Sequence, residues 1–350
     1  MLDLVALFNS FQPLDAMTGQ TARFSAQPIP GYERHRLAKD AHDTPSLLIS
    51  VDDTSGNERP VPIKLEHLTV QYDVDCRISR SDGSLEEDRF TVVRCTGSDK
   101  ALHIYFLRSI GAILVSLGTT PSRLDVAQAI KNLTTLFRAM SEKPRKSVQG
   151  LWAELLLIAR AYDAATMVTV WHVTPEDRYD FSSGNQRIEV KSTSARVRQH
   201  YFTLEQLCPP TDTTLLIASL FVEYAGAGTS VMELAEQIRS RISDNPDLLL
   251  HMDQIISLTL GENWRDALEA RFDVELAEDS LVFFEASAIP TVGRVLPSGV
   301  SDVHFRSDLT QCLPANIQHF RELGGLFQAA LLRRSSSSSK GKRRDLPVHT

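Results

Sequence analysis

The chain has 350 residues, of which 42% are hydrophobic, and this is enough material for two or three packed units. It has no uninterrupted apolar stretch of 18 residues, and residues 1–20 lack the basic start and apolar core of a secretory signal, so we expect a cytoplasmic protein that does not enter a membrane. The formal net charge is −7, and the four cysteines have no paired spacing, which argues against a zinc site or a disulfide framework.

The N-terminal third is predicted to be rich in strands. Three segments carry β-branched and apolar residues in partial alternation and are separated by clusters typical of turns: 46–51, 61–74 and 90–95. Helical periodicity follows over residues 102–117 and 124–140, and Pro121-Ser122 marks the start of the second helix. We therefore predict an N-terminal β-rich domain with a small antiparallel sheet over residues 1–120.

A glutamate interrupts the apolar side of the next predicted helix. Leu151, Leu155, Ile158 and Tyr162 recur at helical spacing, and Glu154 lies within the same stripe. A charge that faces a core is costly unless it is paired or binds a metal. Two explanations stay open: Glu154 pairs with a buried Arg or Lys, or it belongs to a functional site.

The segment from Asp180 to Lys191 combines a turn with a strand. Alternation would place Ile188 and Val190 on one face of the strand, and Glu189 and Lys191 on the other. Residues 182–185 favour a tight reversal that could return the Asp180 carboxylate to Glu189. Two carboxylates and a lysine on adjacent strands predict a site for a hard divalent cation with a cationic partner.

The remainder of the chain continues to mix strands and helices. Capping boxes begin helices at Thr203–Gln206 and Ser230–Glu233, and Gln206 either caps its helix or faces the site. Strands are predicted over 200–202, 215–224, 281–286 and 300–305, and helices over 247–260 and 263–272. The order of elements predicts an α/β (α+β) fold whose central mixed sheet, flanked by helices, occupies residues 121–325.

Charge is distributed unevenly along the chain. Residues 333–350 contain six basic residues, one acid and a serine run, so we predict a disordered basic tail of charge +5, which leaves −12 for the rest. Such an acidic body should not hold nucleic acid tightly by itself. Five basic residues near the motif form either a local positive rim or ordinary solvated surface: Arg178, Arg187, Arg196, Arg198 and His200.

These motifs resemble a known group of enzymes. The Gly150-Leu151-x-x-Glu154-Leu155 helix, Asp180 and the Glu189-Val190-Lys191 strand look like the active-site series of the PD-(D/E)XK nuclease superfamily. The closer similarity is to a bacterial PD-(D/E)XK family of unknown function, and it extends over most of residues 30–310. It implies a restriction-endonuclease-like fold, with a nuclease-like domain and C-terminal additions over 121–325. One departure is Tyr179, where the superfamily pattern has proline.

The resemblance also implies roles. Asp180 and Glu189, with the Val190 carbonyl, would hold Mg²⁺ or Mn²⁺. Glu154 would contact this metal site through a water molecule or through a second metal ion. Lys191 would orient the attacking water or stabilise the phosphate. The implied catalytic set is Glu154, Asp180, Glu189 and Lys191, and the implied enzyme is a Mg-dependent phosphodiesterase.

Two functions from different classes are compatible with these residues. The first is a metal-dependent endonuclease that hydrolyses DNA phosphodiester bonds as a subunit of a bacterial restriction or anti-phage system. The resemblance implies methyltransferase and ATPase or helicase partners encoded nearby, and a homodimer is one option for its assembly. The alternative is a non-catalytic nucleic-acid-binding or scaffolding subunit that keeps a nuclease-like fold.

Overall fold

The computed structural model describes residues 3–12, 23–51, 60–79, 84–173, 177–293 and 296–331. The predicted basic tail, residues 333–350, lies outside the described residues. The described residues form both helices and sheets, and the sheets contain parallel as well as antiparallel pairs of strands. The chain therefore has the predicted α/β (α+β) class.

The N-terminal part is built on a six-stranded sheet. After α1 (Leu4–Asn9), its strands in chain order are β1 (Arg23–Ile29), β2 (Tyr32–Lys39), β3 (Pro45–Ile49), β4 (Ile63–Lys64), β5 (Leu68–Ser79) and β6 (Leu85–Cys95). Their order in space is β1-β2-β3-β6-β5-β4, and β1 also pairs with β5 in parallel, so five strands close into a ring. The predicted antiparallel sheet is thus larger than expected and contains one parallel pairing.

Alternation explains how this sheet has two buried faces. On β6, Phe90 and Val92 belong to a cluster inside the ring, while Val93 and Cys95 belong to the main core. Successive strand residues point to opposite faces, so each face contributes to a different cluster. The ring is therefore filled by side chains and also packs against helices on its outside.

Two long helices follow the sheet. They are α2 (Lys100–Leu117), capped by Asp99, and α3 (Arg123–Ala139), which begins with a Ser122–Asp125 capping box. By length and composition alone α2 could cross a membrane, but 56% of it is buried inside the protein, as in a core helix. The predicted domain boundary near residue 120 falls between these two helices, which pack against each other. The division into domains stays a prediction.

The second large sheet is mixed. It lies beside α4 (Val148–Arg160) and α5 (Ala164–Thr169), and its strands are β7 (Phe181–Ser183), β8 (Gln186–Thr193), β10 (Thr214–Phe221) and β13 (Val282–Glu285). Their order is β13-β10-β8-β7, in which β8 and β10 are parallel and the other pairs antiparallel. Because α4 packs on β8, this sheet and this helix together position the candidate site.

The remaining α-helices and strands lie outside the two large sheets. They are β9 (Gln199–Thr203), α6 (Leu204–Leu207), β11 (Tyr224–Ser230), α7 (Val231–Arg241), α8 (Pro246–Leu260), α9 (Trp264–Glu269), β12 (Arg271–Phe272), α10 (Val274–Ser280), β14 (His304–Asp308), α11 (Ile317–Glu322) and α12 (Gly325–Ala330). β9 pairs with β14, and β11 with β12.

Several predicted boundaries in this region were wrong. The helix predicted over 263–272 ends at Glu269, because Arg271 and Phe272 pair with β11. The strand predicted over 215–224 ends at Phe221, and Tyr224 begins a separate strand. The strand predicted over 300–305 begins only at His304.

Candidate metal centre

Glu154 lies on a helix that is buried almost all around. Every residue of α4 from Leu151 to Ala159 is buried, and Glu154 is 2% exposed. The sequence placed Tyr162 in the same apolar stripe, which was wrong: the helix ends at Arg160, and Tyr162 is 60% exposed. Glu154 is therefore a charge in the core rather than one on the edge of an amphipathic helix.

The β7–β8 hairpin brings Asp180 to the neighbouring strand. Gly184 has a φ of +51°, a conformation that glycine adopts without strain, and Phe181 pairs with Ile188. Asp180 immediately precedes β7, and its Oδ2 atom accepts a hydrogen bond from the Val190 amide at 2.7 Å. The reversal that the sequence predicted thus exists, and it fixes one oxygen of this carboxylate.

Glu189 and Lys191 lie side by side on β8. The Lys191 ammonium is 2.8 Å from Glu189 Oε1. Gln206 donates to the same oxygen at 2.9 Å, and its own Oε1 accepts from the Thr203 amide. Both interpretations of Gln206 therefore hold, since it caps α6 and also contacts the site.

Three side chains that were not predicted as site residues complete the cluster around Glu154. Lys146 Nζ lies 2.7 Å from Glu154 Oε1 and also contacts Asp180 Oδ1. Trp171 donates from its indole nitrogen to Glu154 Oε2 at 2.7 Å, and His172 Nε2 is 2.9 Å from that oxygen. Glu154 thus does pair with a lysine, and it is at the same time the neighbour of Asp180.

The charges in this cluster are unequally stabilised. Burial opposes the charged form of Lys146, but Asp180, Glu154 and Glu189 together raise its pKa above the usual range. Burial also opposes the charge on Glu154, but Lys146 and His172 lower its pKa below the usual value. Burial and the nearby Asp180 charge raise the pKa of Glu189 to about 7 despite Lys191 and Lys146. The charge on Glu189 is thus less stabilised than the charge on Glu154.

The cluster has the properties of a cation site. Glu189 is 5% exposed, and its Oε2 atom is buried with no hydrogen-bond partner among the described residues. A buried polar atom without a partner costs free energy that a bound cation would recover. One ligand atom from each of Glu154, His172 and Asp180 also lies within 4.8 Å of the other two. The residues present therefore fit a divalent metal ion.

The predicted ligand role of the Val190 carbonyl stays a prediction. The Val190 amide is used by Asp180, and the residue stands opposite Ala218 in the parallel β8–β10 pairing.

The five basic residues near the motif all bond to other groups of the protein, although Arg178 and Arg196 are also exposed. Arg198 bonds to the Ser219 and Ser280 carbonyls, and His200 to the Ser219 hydroxyl. The other three bond to backbone carbonyls or to Glu223: Arg178, Arg187 and Arg196. Arg198 and His200 therefore support the fold behind Lys191 instead of forming an exposed rim.

The hydrogen bond from Trp171 to a buried carboxylate gives a stability prediction. Trp171→Phe should lower the free energy of unfolding by about 1–3 kcal/mol, because Glu154 loses a charge-assisted bond. Trp152→Phe is the matched control: both indoles are 0% exposed, but Trp152 donates to the neutral Thr229 carbonyl, so about 0.5–1.5 kcal/mol is expected. Urea unfolding of both variants measures the difference. An equal or larger loss in Trp152→Phe would contradict the prediction.

Comparison with known proteins identifies the family. No curated protein and no solved structure matches the chain significantly. One family model, described as "Putative PD-(D/E)XK family member, (DUF4420)", matches residues 10–310. That match covers most of the chain and includes Glu154, Asp180, Glu189 and Lys191. The chain therefore belongs to this PD-(D/E)XK family.

Proposed function

We propose that this protein is a metal-dependent endonuclease that hydrolyses DNA phosphodiester bonds. The observation that carries the proposal is the convergence of three buried carboxylates, those of Glu154, Asp180 and Glu189, beside two partly exposed lysine ammonium groups, with an oxygen of Glu189 that has no hydrogen-bond partner among the described residues. Membership of a PD-(D/E)XK family supports it, because that superfamily consists generally of nucleases.

The positions of the side chains support the proposed roles. Asp180 and Glu189, with Glu154 and the Val190 carbonyl, would hold Mg²⁺ or Mn²⁺, since hard cations prefer oxygen ligands. A bound metal would neutralise charge on the phosphate and lower the pKa of a water molecule. Lys191 places its ammonium beside Glu189 and would stabilise the negative charge that develops on the phosphate.

The fold supports the same proposal. The β13-β10-β8-β7 sheet carries Glu189 and Lys191 on a strand with a parallel and an antiparallel neighbour, and α4 covers it with Glu154. We propose that residues 121–325 are a restriction-endonuclease-like domain and that residues 1–120 are a separate β-rich domain. We further propose that the protein acts in the bacterial cytoplasm, in a restriction or anti-phage assembly. Methyltransferase and ATPase or helicase partners would supply the basic DNA-binding surface that an acidic body lacks.

Plasmid cleavage tests the activity. The purified chain, alone and with the products of its neighbouring genes, is incubated with supercoiled DNA and Mg²⁺ or Mn²⁺. We expect relaxed or linear products, and we expect that they do not form when a chelator is present. Asp180→Asn, purified in parallel, controls for contaminating nucleases. If no combination cuts, or if the variant preparation cuts equally, the endonuclease proposal fails.

One observation favours the alternative function. Lys146 already provides Glu154 and Asp180 with a cationic partner, so these buried carboxylates have a structural explanation without any metal. A non-catalytic nucleic-acid-binding or scaffolding subunit would bind DNA or a partner protein without a response to divalent cations. Binding measured with and without a chelator separates the two functions.

A further inference from the structure

A single ammonium group lies among three potential metal ligands. Lys146 Nζ is 2.7 Å from Glu154 Oε1 and 3.2 Å from His172 Nε2, and it contacts Asp180 Oδ1. The three ligand atoms come from a helix, a turn and the residue before a strand, and they surround one cation. This is the arrangement that a bound metal ion would also require.

We propose that Glu154, His172 and Asp180 bind a transition-metal cation such as Mn²⁺, and that the Lys146 ammonium fills this position until the metal displaces it. The proposal rests on the proposed function, because it uses two of the same carboxylates. It adds a nitrogen ligand, and with it a preference: Mn²⁺ accepts an imidazole among carboxylates more readily than Mg²⁺, which is bound through oxygen ligands and water.

His172 is held firmly in place for such a role. Its φ of +39° is uncommon for a residue with a side chain, and its amide donates to the Asp180 carbonyl at 3.0 Å. The preceding carbonyl, that of Trp171, lies 3.0 Å from His251 Nε2. Both hydrogen bonds hold the Trp171–His172 peptide unit, so groups of the protein fix the backbone that precedes the imidazole.

Lys146, by contrast, can move its charge without moving its backbone. Its side chain is 35% exposed, whereas those of Glu154 and Asp180 are each 3% exposed. The preceding loop is fixed, because the Arg145 amide donates to the Thr259 carbonyl at 3.0 Å and the Glu262 amide to the Glu142 carbonyl at 2.8 Å. A side-chain rotation towards water would release the site, and the hydrated ammonium needs no other protein partner.

The proposal predicts a nitrogen ligand on the bound metal. Mn²⁺ is titrated into the full chain and followed by electron paramagnetic resonance, with pulsed measurements to detect modulation by a coordinated imidazole nitrogen. We expect saturable binding with that modulation. His172→Gln should lose the modulation and weaken Mn²⁺ binding at least about tenfold, with a smaller effect on Mg²⁺. His304→Gln, an exposed histidine on β14, is the control and should change neither.

A second variant tests the competition by the lysine. Lys146→Met keeps the side-chain volume but removes the charge, so Mn²⁺ should bind at least about tenfold more tightly. The metal-free variant should melt at a lower temperature, because two buried carboxylates lose their cation. Lys143→Met, an exposed position in the same loop, should leave both quantities unchanged. Unchanged or weaker binding in Lys146→Met would overturn the displacement.

The outcomes separate this inference from the proposed function. Suppose that Mn²⁺ binds without nitrogen modulation, that His172→Gln leaves this binding unchanged, and that Glu189→Gln abolishes it. Then the nitrogen-containing site is wrong and the proposed metal site stands. If neither the parent nor Lys146→Met binds Mn²⁺, the nitrogen-containing site and the proposed metal site are both overturned.

Discussion

Replacing Lys191 with alanine is expected to lower the rate of DNA cleavage by about 100- to 1,000-fold, the usual effect of removing one preorganised electrostatic group. The Lys191 ammonium lies 2.8 Å from Glu189 Oε1 and 5.2 Å from the centre of the Phe202 ring, and the side chain is 18% exposed. It therefore borders the carboxylate cluster and can still reach a phosphate. Its contribution should arise in the transition state and not in substrate binding.

The fold should survive this substitution. Glu189 loses a cationic partner, but it keeps the hydrogen bond from Gln206, and its raised pKa shows that it accepts a proton readily. We expect a cooperatively melting variant that still binds metal. Single-turnover plasmid cleavage and thermal melting measure the two effects, and Lys64→Ala, an exposed lysine on β4, is the control. Undiminished cleavage by Lys191→Ala would favour the non-catalytic function.

Local periodicity was sufficient to predict the central elements of the site. Alternation over β8 placed Ile188 in the core and Glu189 beside Lys191, and the Gly184 turn returned Asp180 to that strand. These relations depend on residues close in sequence, so the pattern of side chains is enough to set them.

The first two strands, β1 and β2, were not predicted. β2 is largely polar and β1 contains a proline, and both are strands because the sheet pairs them: β1 with the distant β5, and β2 with β1 and β3. The Thr203–Gln206 capping box was predicted correctly as a helix start. The helix α6 ends at Leu207, because the Pro209-Pro210 pair that follows cannot continue it.

Dependence on distant partners also explains why the roles of Lys146 and His172 were not predicted from the sequence. Neither residue belongs to a periodic segment: one lies in the loop before α4, and the other in the turn before β7. Backbone hydrogen bonds to residues far along the chain, or in the next turn, bring them to Glu154. The sequence presented a paired Glu154 and a functional Glu154 as alternatives, whereas the structure places the lysine partner and Asp180 around one carboxylate.

Replacing Glu189 with glutamine is expected to abolish the increase in melting temperature that Mg²⁺ or Mn²⁺ produces. A cation at a hundredfold excess over its Kd should stabilise the parent by about 2.7 kcal/mol through mass action on the folded state. Glutamine offers a single neutral oxygen, so the cation loses a charged ligand. Thermal melting with and without the cation measures this loss.

The stability of this variant without metal makes the prediction specific. Burial and Asp180 oppose the charge on Glu189, and its Oε2 atom has no partner among the described residues. A neutral glutamine should therefore leave the metal-free melting temperature unchanged or raise it. Asp180→Asn is the matched variant: it should also lose the response to metal, but it should melt at a lower temperature because Asp180 is the partner of Lys146. If Glu189→Gln keeps the full cation response, Glu189 is not a ligand, and the metal must be held by other residues.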